Sequence, residues 1–66
     1  MNLQAQANAL FKAAEEFKAC KRNRSGSINE NSKHAVKKRL VAKLMEIGED
    51  SGSAWAMAHD LGRNYK

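Results

Sequence analysis

The side chains in this 66-residue sequence that could do chemistry are one thiol, two imidazoles, a few adjacent carboxylates and a large set of cations. Cys20 stands beside Lys21 and Arg22, a setting that can activate a thiol. It falls at the C-terminal end of a helical stretch, where the macrodipole opposes that activation, and nothing nearby serves as its base. His34 sits in a run of lysines and reads as a solvated residue. His59 and Asp60 are sequence neighbours, so on a helix they point about 100° apart and cannot form an orienting pair. Cys20, His34 and His59 have no paired Cys/His spacing of the kind a zinc site uses. Glu15-Glu16 and Glu49-Asp50 read as solvated charges rather than an acid/base couple. A chain this short also has little concave volume for a substrate. The expectation is a protein with no catalytic residue, no metal and no cofactor.

The cations carry more information. Twelve Lys and Arg against seven Asp and Glu give a net charge of +5. Lys12 and Lys18 balance Glu15 and Glu16, so the first stretch is neutral. Lys18, Lys21, Arg22 and Arg24 form one basic cluster, and Lys33, Lys37, Lys38, Arg39 and Lys43 form a second. Glu46, Glu49 and Asp50 then make an acidic patch. Such asymmetry bears on partners rather than on fold. It is the electrostatic footprint of a nucleic-acid binder, with Lys33, Lys37, Lys38, Arg39 and Lys43 meeting phosphates and Lys21, Arg22 and Arg24 in support. The plainer reading is a helix kept in solution by its lysines. Of the four aromatic residues, Phe11, Phe17 and Trp55 read as core, which leaves no platform for stacking bases. The alternative partner is an acidic protein surface, which the same cations would meet.

Two further functions are weaker. Val41 to Gly62 has a helix, a turn and a helix, but the connection from Gly48 to Ser53 exceeds the three or four residues of a DNA-binding helix-turn-helix. The would-be recognition helix also lacks Arg, Lys, Asn and Gln. A basic amphipathic helix can lie on lipid, but the apolar side of this one lacks Trp and Phe. No apolar run approaches the roughly 20 residues of a membrane span, and the N-terminus does not resemble a signal peptide. A lone thiol fits a cytoplasmic protein. No motif is specific enough to name a family.

Helices must position these groups. Val36, Leu40, Leu44 and Ile47 recur at helical spacing, with Val41 widening the stripe, and the second basic cluster covers the rest of the same cylinder. Leu3, Ala7, Leu10, Ala14 and Phe17 form a stripe on a first helix, flanked by Phe11. A third, short helix turns Trp55, Ala58 and Leu61 inward. Asn2 is the expected cap of the first helix. Ser27 in a Ser-x-x-Glu capping box, or else Asn31 or Ser32, would cap the second. Gly48 would close it, and Ser51 or Ser53 would cap the third. The fold expected is all-α, a small three-helix bundle with helices at about 2–22, 28–47 and 53–62 and a frayed tail at 63–66. Its core would be Leu3, Leu10, Phe11, Ala14, Phe17, Val36, Leu40, Leu44, Ile47, Trp55, Ala58 and Leu61. A chain of this size is only marginally stable alone, and self-association or a partner is the cheapest way to add buried area to its core. Met45 and Met57 would be gap-fillers facing inward.

Overall fold

The computed structural model describes residues 3–65. It is an all-α fold of three helices, α1 (Leu3–Lys18), α2 (Glu30–Glu46) and α3 (Ser51–Gly62). The expected cap Asn2 lies outside the described residues, as does Lys66. α1 and α2 run in opposite directions: the Arg39 guanidinium meets Glu16 near the end of α1, and Ala5 and Asn8 face Lys43 and Ile47 across a groove. α3 folds back along α2, so that its last residue, Gly62, lies against the Lys33 and Lys37 stems near the start of α2.

α1 ends earlier than the sequence suggests. Ala19 and Cys20 still donate backwards to helix carbonyls, but Lys21 to Asn29 then pair as a miniature hairpin. Asn23 N–H donates to Ser27 O, Asn29 N–H to Lys21 O, and Arg22 bridges Ile28. Gly26 closes the turn by donating to Asn23 O at a φ of 89°, the left-handed geometry for which glycine is suited. Ile28, buried to 3% exposure, anchors the hairpin base. Because Ser27 is spent there, it does not cap α2. The cap is Asn29, whose Oδ1 accepts from the backbone of Asn31 at 2.9 Å and of Ser32 at 3.3 Å. Neither Asn31 nor Ser32 takes that role. Asn29→Ala should cost about 1 kcal/mol, read as a lower urea midpoint with an unchanged slope.

At its other end α2 closes on Gly48 as expected, at a φ of 107°. Gly48 donates to Met45 O and Glu49 to Leu44 O, the paired bonds of a Schellman motif. This turn carries Glu49 inward to the position that normally holds an apolar residue. Glu49 is therefore buried rather than solvated, and its Oε1 has no hydrogen-bond partner. α3 starts at Ser51, not Ser53, and is capped by Asp50, not by either serine. Hydrogen bonding from Ser53, its side chain first and then its N–H to Asp50 Oδ2, holds the Asp50 carboxyl below its ordinary pKa. The α2–α3 connection is thus only residues 47–50. Its length no longer argues against a helix-turn-helix, but the composition of α3 still does.

The core is centred on Phe17, Val36, Leu40, Leu44, Ala54 and Ala58. α1 enters it on a different face from the one the stripe of large residues indicates. Ala9, Ala13 and Phe17 are buried, while Leu3 is 74% and Phe11 70% exposed. The two stripes overlap at Phe17. The alanine one wins because small residues let α1 approach the branched side chains of α2 closely. Leu10, Ile47, Trp55 and Leu61 pack against the core partly buried, as does Met57, whereas Met45 is 48% exposed. The tail is not frayed through Tyr65. Its ring stacks on Phe17, with centroids 5.4 Å apart, and its carbonyl accepts from Lys33 Nζ at 2.8 Å.

Candidate nucleic-acid interface

The topology gathers the first basic cluster and the N-terminal part of the second, Lys33, Lys37 and Lys38, at one end of a molecule 40 Å long, and leaves Lys43 near the other. The end of α1, the hairpin, the start of α2 and the end of α3 all lie there. From Lys18 to Arg39 the chain carries eight cations and a single carboxylate, Glu30. Glu46, Glu49 and Asp50 sit at the opposite end.

The expected phosphate contacts are not equivalent. Lys33 caps the end of α3 through the Tyr65 carbonyl, where the macrodipole favours a cation. Lys37 crosses the same helix end, and its Nζ donates to His59 Nδ1 at 3.2 Å. Arg39 Nε donates to Glu16 Oε1 at 2.8 Å, tying α2 to α1. Lys43 pairs with Glu46 at 3.8 Å, both exposed, a contact of the kind that contributes little. Arg22, placed on a hairpin arm rather than a helix end, donates to Gly26 O. Lys21, Arg24 and Lys38 are exposed, and their side chains make no ion pair or hydrogen bond among the described residues. Arg24 stands at the hairpin turn and Lys38 on the outer side of α2.

Beside Lys37 and Lys38 lies a feature the sequence reading did not contain. Trp55, half-buried on α3, has the His34 ring stacked against it at 6.0 Å between centroids and the His59 ring tilted against it at 5.7 Å. Both imidazoles are exposed. Lys38 follows His34 by one helical turn, and Arg63 follows His59 by one turn. The i, i+4 spacing of Trp55 and His59 is visible in sequence and could have revealed half of this cluster. His34 joins it only through the packing of α2 on α3. Two of the residues expected in the core are therefore corrected: Trp55 is only partly buried, and Phe11 is not core at all.

The remaining chemistry-bearing groups stay apart. The Cys20 thiol donates to Glu16 O at 3.3 Å. No group of three or more His, Cys, Asp or Glu among the described residues could hold a metal ion. No described helix is long and apolar enough to cross a membrane. Comparison with family models, curated proteins and solved structures finds no match.

One other concavity bears on partners. A groove of about 410 Å³ runs between α1 and α2. Ala5, Ala9, Ala13, Leu40 and Ile47 form its apolar floor, and Lys12, Arg39 and Lys43 stand on its rim.

Proposed function

We propose that this chain is a non-enzymatic nucleic-acid-binding protein that takes single-stranded RNA or DNA on the α2–α3 face. The observation that carries the proposal is the His34–Trp55–His59 ring cluster, with Lys37 bonded to His59, and with Lys38 and the Asp60-paired Arg63 one helical turn beyond His34 and His59. Unstacked bases add to exposed aromatic faces without regard to sequence, and neighbouring cations track the backbone. Arg24, Lys21 and Arg22 at the hairpin extend the positive surface beyond the rings. Duplexes hide their base faces, so they should bind more weakly.

Trp55 is the only tryptophan, so its fluorescence reports directly on the proposed surface. Titration with single-stranded oligonucleotides should quench it with micromolar or better affinity at low salt. Each phosphate contact should contribute about −0.7 to the slope of log K against log salt. A flat titration at low salt would reject the proposal.

A second function is favoured by the α1–α2 groove, whose apolar floor and cationic rim suit an acidic amphipathic helix of a protein partner. An acidic helical peptide would then bind, Lys12→Ala would weaken it, and Trp55 fluorescence would not change.

A further inference from the structure

We infer that α1 carries a self-association surface and that two copies of this chain pair through it antiparallel. Leu3, Ala7 and Phe11 lie at i, i+4 and i+8 on one side of α1, and all three are exposed. Leu10 and Ala14 continue the patch and are only half-covered by the rest of the chain. Leu3, Ala7, Leu10 and Ala14 follow at intervals of four, three and four, the period of a seam between paired helices. The face that α1 uses within its own fold, Ala9, Ala13 and Phe17, is a different one, so folding leaves this seam uncovered.

Charge identifies the occupant. No charged residue precedes Lys12 in the sequence. A nucleic acid or an acidic protein would find no cation along the first half of this patch, whereas a second uncharged, apolar helix matches it. The fold also fixes the direction. The Leu3 end of α1 lies at the end of the molecule that carries Glu46, Glu49 and Asp50 together with Lys43. Its Lys18 end, where Glu15 pairs with Lys18 and Glu16 with Arg39, lies beside the further cations Lys21, Arg22 and Arg24. Two α1 helices packed antiparallel set the basic end of each copy alongside the acidic end of the other. Parallel packing would set like charges together. The antiparallel pair has two-fold symmetry, so each copy offers the same patch. It leaves the His34–Trp55–His59 face of both copies uncovered, and it stands whether or not that face binds nucleic acid.

Sedimentation equilibrium from low to high micromolar concentration tests the pairing. The expected result is a monomer–dimer equilibrium that added salt weakens. Phe11→Glu should abolish the dimer while leaving the helical circular-dichroism signal intact. Should Phe11→Glu fail to fold, Leu3→Gln supplies the same comparison. A nitroxide on the single thiol, Cys20, reads the direction. Antiparallel helices overlapping about Leu3 to Ala14 place the two Cys20 positions about 35 Å apart, against roughly 10 Å for a parallel pair. A monomer at every concentration, a dimer indifferent to both substitutions, or labels in close proximity would each overturn the inference.

Discussion

Phe17→Ala is expected to unfold most of the protein near room temperature, whereas Phe11→Ala, six residues earlier on the same helix, should change stability little. Phe17 is fully buried and stacks on Tyr65. Its ring therefore joins α1 to the chain beyond α3 as well as to the core. Truncating a buried phenylalanine to alanine costs about 3–5 kcal/mol, because the transfer energy is lost and a cavity remains. A domain of this size holds about 3–10 kcal/mol in total, so the loss consumes much or all of its stability. Phe11 is 70% exposed, and exposed substitutions usually fall within about 0.5 kcal/mol. Thermal melts followed at the helical ellipticity minimum, at low micromolar concentration so that self-association does not contribute, check both. Phe17→Ala should lower Tm by more than about 12 °C. Equal effects of the two substitutions would show that α1 is rotated away from burying Ala9, Ala13 and Phe17.

Trp55→Ala is the second large effect, and it falls on binding. If bases stack on the His34–Trp55–His59 cluster, losing the indole removes the ring that holds both imidazoles in place. Base stacking on an aromatic side chain contributes about 1–3 kcal/mol per base, so affinity for a single-stranded oligonucleotide should fall roughly 5- to 150-fold. Trp55 also packs against the core, and part of any loss could come from loosening α3. Two companion variants separate the effects. Trp55→Phe keeps a ring and should retain most binding. His34→Ala alters an exposed residue and should weaken binding while leaving the melt unchanged. Fluorescence anisotropy of a labelled oligonucleotide at low salt, paired with circular dichroism, reads all three. Unchanged affinity in both Trp55→Ala and His34→Ala would remove the ring cluster from any role in binding.

Legibility in the sequence varied from helix to helix for physical reasons. α2 could be read because its apolar residues admit only one face: Val36, Leu40 and Leu44 are buried as their spacing requires, and Gly48 ends the helix as its position suggests. α1 could not, because two apolar faces share Phe17, and residue size pointed to the one that tertiary packing left outside. The hairpin at 21–29 was hidden by its shortness. Its one apolar anchor, Ile28, reads equally well as the interior of a capping box. Local polar competition hid the caps: Asn29 and Asp50 each outbid a serine whose position alone was equally good. At the candidate interface the cations were visible but their commitments were not. Lys33, Lys37 and Arg39 are engaged by groups distant in sequence, and the ring cluster exists only once α3 lies on α2.

The clasp at Tyr65 has a consequence for how the molecule comes apart. A twelve-residue helix at the edge of a bundle would ordinarily peel away first, leaving a two-helix remnant. Here the residue just beyond it is pinned to α1 through the Phe17 ring and to α2 through the Lys33 ammonium. Detaching α3 must therefore strip contacts from both other helices at once, which penalises any partly opened state and makes disassembly a single concerted event.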